Sequence, residues 1–256
     1  MGMTSSKNSG VFGAFLISCA ALFLLASCAA TKEKAETPVA EILYAKGISF
    51  YENGRYEEAE ASFKSITDEY PLSPQAVEAE IMLADTYYIN ERYDEAGASY
   101  TAFQAFHPGH PKAAYALFQK GMSHFKEVLS VDRDQTKTRK ALFAFEDLVK
   151  FYPEGPYAAK SKDVVSFLRT RLAGSEMYVG RFYYKTKNYK GALRRFSIVI
   201  KDYRDTSAVD GALYYIGETY DSLGEKELAL EAFGTLVSDF PRSSFFEAAK
   251  TRLQEG

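Results

Sequence analysis

The chain has 256 residues, 31 Lys and Arg against 34 Asp and Glu, a formal net charge of −3 and no tryptophan. A mildly acidic chain without a basic block is a poor partner for nucleic acid, because phosphate binding draws on concentrated positive charge. Its two cysteines, Cys19 and Cys28, lie close to the N-terminus, so the body of the chain can hold neither a disulfide framework nor a cysteine metal site.

Residues 1–30 carry one charged side chain, Lys7, then an apolar run from Val11 to Ala26 that ends in Leu25-Ala26-Ser27-Cys28. A short basic start, an apolar core and small residues at the cut are the layout of an export signal. Leu-Ala-Ser-Cys resembles the bacterial lipoprotein box, which implies cleavage before Cys28 and diacylation of its sulfur. Each buried acyl CH₂ adds about 0.8 kcal/mol, so two or three chains hold a soluble domain on a membrane. Cys28 is thus the expected lipidation site, and that covalent lipid is the sole non-protein group expected, with no cofactor and no metal. The alternative for the same run is an uncleaved membrane-spanning helix, which needs about 20 residues. Against it, the run softens at its end and lacks a basic stop-transfer flank. Ala29 after the cysteine, in place of an aspartate, favours the outer membrane, with the domain on its periplasmic face. Thr31 to Pro38 carry no large apolar side chain, and residues 28–40 read as a flexible tether.

A repeated pattern begins after the tether. Gly47, Phe50, Ala59, Phe63, Ile66 and Pro71 reappear as Ala84, Tyr87, Ala96, Tyr100, Phe103 and Pro108, each displaced by 37 positions. A third copy opens at Gly121 with His124 at the aromatic place. It resumes at Ala141, Phe145, Leu148 and Pro153 after about eight extra residues in its turn. A fourth reads Gly180, Tyr183, Ala192, Phe196 and Val199; a fifth reads Gly217, Tyr220, Ala229, Phe233, Leu236 and Pro241. This spacing is that of the tetratricopeptide (TPR) helix–turn–helix unit, and it predicts an all-α, right-handed solenoid of about five repeats. Ser244 to Leu253 read as a C-terminal capping helix. The recurring glycine implies that a partner helix passes too close for a side chain, while Phe or Tyr at the later place fills the gap between neighbouring repeats. The fourth copy has Arg204 where the others have proline, which predicts a softer end to its second helix, with Asp205 or Thr206 free to cap the next one.

His107-Pro108-Gly109-His110 places two imidazoles three apart, a geometry that can share an ion, but with no acidic or thiol partner nearby it reads as a Pro/Gly turn. His124 reads as a packed or capped side chain. No serine elbow, phosphate loop or zinc spacing is present, and no catalytic residue is assigned. First-helix positions that face the concave side of a TPR unit fall on Tyr44, Ile48 and Tyr51, then Ile81, Asp85, Tyr88 and Ile89, then Tyr115, Phe118, Met122 and Phe125. Such an apolar wall suits an extended peptide rich in aromatic and aliphatic side chains; its other reading is packing beneath a neighbouring helix, the tether or the third-repeat loop. Met177, Arg181, Tyr184, Lys185, Tyr214, Glu218 and Asp221 make the second half more charged, like a protein-docking face.

Val131-Asp132-Arg133-Asp134, Ala141-Leu142-Phe143-Ala144-Phe145, Phe151-Tyr152-Pro153, Tyr157, the helix Phe167 to Ala173, Tyr183-Tyr184 and Arg194-Arg195 carry a more specific likeness. A lipidated five-repeat TPR chain with these segments resembles the BamD (ComL) family, lipoproteins of the outer-membrane β-barrel assembly machinery, over essentially all of residues 28–256. The resemblance implies a non-catalytic periplasmic scaffold anchored to the outer membrane. Its partners would be a BamA-like POTRA-domain protein, other lipoproteins of the machinery and unfolded barrel proteins. It implies receipt of the barrel's C-terminal targeting strand near repeats one to three (41–153), and docking of the POTRA region through repeats four and five with the cap (154–256). Tyr44, Ile48, Tyr51, Ile81, Asp85, Tyr88, Phe118 and Met122 are the candidate peptide residues. Arg195, with Arg194 beside it, matches the arginine position of the POTRA contact. The runner-up is another TPR envelope lipoprotein, a pilus-assembly pilotin or a factor coordinating constriction and peptidoglycan synthesis; a lipid-anchored hydrolase is a third reading without a nucleophile constellation to support it.

Overall fold

The computed structural model describes residues 1–2 and 38–255. Nearly all of the signal segment, Cys28 and most of the tether lie outside the described residues. Among the described residues all regular structure is helical: α1 (38–52), α2 (Tyr56–Glu69), α3 (Ala76–Ile89), α4 (Tyr93–Phe106), α5 (Ala113–Lys126), α6 (Thr136–Phe151), α7 (Ala158–Lys185), α8 (Tyr189–Asp202), α9 (Val209–Leu223), α10 (Lys226–Asp239) and α11 (Phe246–Glu255). The chain divides into two compact units, residues 1–91 with α1 to α3 and residues 92–256 with α4 to α11. This boundary falls inside the second repeat.

In repeats one, three, four and five the space next to the glycine of the first helix is filled by an aromatic ring from the second helix of the same repeat. A Cβ on Gly47 would lie 2.6 Å from Phe63, on Gly121 2.8 Å from Phe145 and on Gly217 2.5 Å from Phe233, while at Gly180 it would overlap Phe196. All four rings are buried to within 2 % of completely. The glycine is therefore explained by a ring seated within the hairpin, not by backbone contact, and the ring's role is inside its own repeat rather than only between repeats.

Each hairpin turn needs one left-handed residue, and Gly54, Glu91, Lys187 and Gly224 supply it at the same repeat position with φ of 73°, 59°, 61° and 79°. Glycine adopts this conformation freely, whereas Glu91 and Lys187 do so at a cost of about 1 kcal/mol. The third repeat replaces this turn with a built loop, residues 127–135. There the buried amide of Gln135 donates to Ser130 O at 2.7 Å and Arg133 O at 2.9 Å, and Asp134 accepts from Thr136 N at 2.9 Å. Arg171 on α7 clamps the loop by donating to Leu129 O at 2.6 Å. Lys137 on α6 joins Asp94 on α4 and Glu127 at the loop's start.

Helix α8 ends at Asp202 with Tyr203 N bonded to Val199 O at 3.0 Å, the same closing bond found after α2, α4, α6 and α10. The missing proline therefore does not soften its end, and neither expected cap is used. Asp205 instead receives Arg169 from α7 at 2.7 and 2.8 Å, and Thr206 donates to Tyr203 O at 2.8 Å. The 28-residue α7 is the largest departure from the repeat pattern. Gly180 lies 27 positions after Pro153, where Gly121 lies 13 after Pro108; the difference is about four helical turns. Leu168 and Leu172 of α7 join the core of α5 and α6, and Ala173 and Met177 join that of α8 and α9, so one helix belongs to two cores. Gly174 sits in the middle beneath Val131 of the loop.

His124 is packed, 9 % exposed, against Gly97, and its Nδ1 has no hydrogen-bond partner among the described residues. Burial first, and Lys137, Lys140 and Lys120 next, lower its pKa from 6.5 to about 4, opposed by Asp94. The folded chain thus holds this ring neutral while the unfolded chain protonates it near its ordinary pKa. The contribution to stability is whole above about pH 6.5 and is lost as pH falls toward 4. His124→Phe is expected to show a smaller fall in melting temperature between pH 7.5 and pH 5 than the parent chain, by calorimetry at both pH values. The seated rings predict opposite signs for one substitution. Gly121→Ala should destabilise by about 1–3 kcal/mol through overpacking against Phe145, whereas Gly234→Ala on α10, with nothing within 4 Å, should stabilise by up to about 1 kcal/mol. Thermal melts of the two variants check this.

Candidate peptide and partner surfaces

In the N-terminal unit, α1 and α3 place Tyr44, Ile48, Tyr51, Asp85 and Tyr88 in half-buried positions. Tyr44 leans on Phe63 with centroids 5.8 Å apart, and Tyr51 meets Tyr56 edge-on at 6.0 Å. Burial raises the Tyr51 phenol above its usual value, and the charge of Asp85 raises it further, so α1 and α3 present these two polar groups to one another. A half-buried tyrosine keeps its ring on the core and its hydroxyl at the surface, which suits a wall that is apolar in body and polar at the tip. Ile81 does not belong to this wall: it is fully buried, so it is core and not a peptide residue.

The third-repeat part of the expected wall is covered. Phe118 is 7 % exposed, stacked on Tyr157 at 4.8 Å and edge-on to Phe145 at 5.8 Å, with Lys160 Nζ 5.2 Å from its ring centre. Met122 is half-buried against the same cluster, and Phe125 meets Phe167 of α7 at 5.8 Å. The added turns of α7 lie over this face, so packing and not ligand contact explains Phe118. The last repeat is closed as well. Phe245 stacks on Tyr214 at 4.9 Å, and Arg252 of α11 binds Glu218 at 2.8 and 3.1 Å. That hydrogen-bonded carboxylate holds the Arg252 guanidinium above its ordinary pKa.

The two arginines of α8 separate. Arg195 donates to Glu176 on α7 at 2.9 Å, whereas Arg194 is exposed and makes no ion pair among the described residues. Arg195 is thus an internal brace, and Arg194 is the one turned to solvent. His110 Nδ1 accepts from Lys112 N at 3.2 Å, and the Phe103 ring lies 5.1 and 5.4 Å from the two imidazoles. Among the described residues no group of three or more His, Cys, Asp or Glu is placed to hold a metal, and no helix is long and apolar enough to cross a membrane. Reading the sequence missed the clamps Arg169, Arg171 and Gln135; the first two stand in the Phe167–Ala173 segment, where two arginines set between Leu168 and Leu172 were the available signal.

The YfiO family model, described as an outer membrane lipoprotein, matches residues 36–232. The outer membrane protein assembly factor BamD of Caulobacter vibrioides is 30% identical over 246 residues, covering 93% of this chain and 81% of that protein. BamD of Rickettsia prowazekii is 31% identical over 228 residues, covering 88% and 90%. Among solved structures, a thermophilic TPR protein of Thermus thermophilus aligns over 84% of this chain and 99% of its own at 17% identity, with a TM-score of 0.37. A family model matching most of the chain, and relatives at this identity over nearly all of it, establish the lineage: this chain belongs to the YfiO family of outer membrane lipoproteins, together with the BamD assembly factors.

Proposed function

We propose that this chain is a non-catalytic scaffold of outer-membrane β-barrel assembly, anchored by lipid on Cys28 at the periplasmic face. The observation that carries the reading is the 30% identity to the Caulobacter assembly factor over an alignment that covers 93% of the chain. The half-buried tyrosine wall of α1 and α3 supports receipt of an aromatic-ended targeting strand by the N-terminal unit. Tyr44, Ile48, Tyr51, Asp85 and Tyr88 are its contact residues; Ile81 and Phe118 act as packing.

The repeats after α7 dock a BamA-type POTRA domain, with Arg194 as the contact and Arg195 holding α8 to α7 through Glu176. A basic side chain on an exposed helix face gives orientation and on-rate more than raw affinity, so its removal weakens the complex without unfolding the scaffold. Recovery of the native protein from gently solubilised membranes is expected to bring a BamA-type barrel with it. Arg194→Glu should reduce that recovery by about tenfold, the effect of roughly 1.4 kcal/mol, with unchanged helicity. Equal recovery overturns the docking assignment, and absence of any barrel from the parent sample overturns the function.

A further inference from the structure

Between Glu176 and Asp202 the chain carries seven Lys and Arg and no acid, within a molecule of net charge −3. This stretch is the end of α7, its turn and α8. The other repeats all carry acids at or beside the corresponding turn: Glu52 and Glu57, Glu91 and Asp94, Asp132 and Asp134, Glu225 and Glu227. At the tip, Arg181, Lys185, Lys187 and Lys190 are exposed and make no ion pair among the described residues. Beside them Phe182 is 59% and Tyr178 47% exposed.

Lys187 is the left-handed residue of this turn, at the position that Gly54 and Gly224 occupy in repeats one and five. Glycine would take that conformation without strain, so the lysine stands there against backbone preference. The turn is firmly built: Asn188 N donates to Tyr183 O at 2.8 Å, Thr186 Oγ1 donates to Phe182 O at 3.0 Å, and Asn188 Oδ1 accepts from Gly191 N at 3.1 Å. The four cations stand on a fixed projection.

We infer that this hairpin tip is a contact surface for anionic phospholipid headgroups, with Phe182 and Tyr178 entering the headgroup boundary beside the cations. Three of the four tip cations are lysines, which protein interfaces disfavour while favouring arginine. A protein partner would also seek a pocket for its anchor side chain. Among the described residues, three cavities of about 730, 360 and 220 Å³ are lined by residues of α4 to α6, of α9, the end of α10 and the segments before α9 and α11, and of α9 to α11, and none of these three by a tip residue. Headgroups require neither pocket nor register, and clustered Lys and Arg with exposed aromatics is the composition that holds an anionic bilayer surface. Glu225 and Glu227 on the following turn restrict the contact to this hairpin. Arg194 is not part of it, so the POTRA docking assignment and this inference stand or fall separately.

The test uses the full-length protein with a fluorescent amino acid in place of Thr186, reconstituted into vesicles of phosphatidylcholine alone or of equimolar phosphatidylcholine and phosphatidylglycerol, each with a headgroup-quencher lipid. Quenching is expected to be at least about threefold stronger on the phosphatidylglycerol vesicles and to weaken in high salt. Lys187→Glu with Lys190→Glu should reduce it to the phosphatidylcholine level, with helicity and recovery of the BamA-type partner unchanged. Equal quenching on the two vesicles overturns the inference. So does a charge-reversed variant that loses its protein partner while quenching persists, which would assign the tip to an acidic protein instead.

Discussion

The seating of one aromatic ring in the space left by a missing Cβ is the contact on which the hairpins depend. Phe63 over Gly47, Phe145 over Gly121, Phe196 over Gly180 and Phe233 over Gly217 each fix how closely two helices of a repeat approach. Burying such a ring contributes about 1.5–3 kcal/mol, more than the roughly 1 kcal/mol that glycine costs inside a helix. Each hairpin still exposes an apolar face until a neighbour covers it. In the C-terminal unit that covering is unequal: α7 serves two cores, and Phe245, just before α11, closes the end together with Arg252 on it.

This covering decides which surfaces remain for other molecules. A plain array would offer first-helix residues of every repeat to a ligand, but α7 takes Phe118 and Met122 into packing, and α11 takes Tyr214 and Glu218. The tyrosines of α1 and α3 stay half-buried. Charge is partitioned in the same sense, since the tip of the α7–α8 hairpin presents cations with no ion pair among the described residues while Arg169 and Arg195 are spent within the fold. Arginines that look alike in sequence thus divide into braces and solvent-exposed side chains by whether a carboxylate stands within reach.

The repeat was legible because its packing is local: ring and glycine lie 16 positions apart in repeats one, four and five, and where proline follows the ring it does so at a fixed interval. The insertion at 127–135 was legible for the same reason, as a break in that interval. The extension of α7 left the same kind of break, 27 positions from Pro153 to Gly180 against 13 from Pro108 to Gly121, but the interval alone does not say whether the added residues form helix or loop. Ile81 and Phe118 were misplaced because an apolar side chain on the groove side reads identically whether a peptide or another helix covers it. Asp205 looked like a cap, but a guanidinium from α7 that sequence spacing cannot bring into view had claimed it. Glu91 and Lys187 kept their left-handed turns hidden, since only glycine advertises that conformation.

On this account client strands meet the protein at the α1–α3 tyrosines and not along the whole first-helix face. Photo-crosslinking residues placed singly at Tyr51, Tyr88, Phe118 and Tyr214, in cells synthesising barrel proteins, test it most directly. Crosslinks to unfolded barrel chains at positions 51 and 88, with none above background at 118 and 214, are the expected result. Crosslinks of equal yield at 118 or 214, or their absence at both 51 and 88, would contradict it.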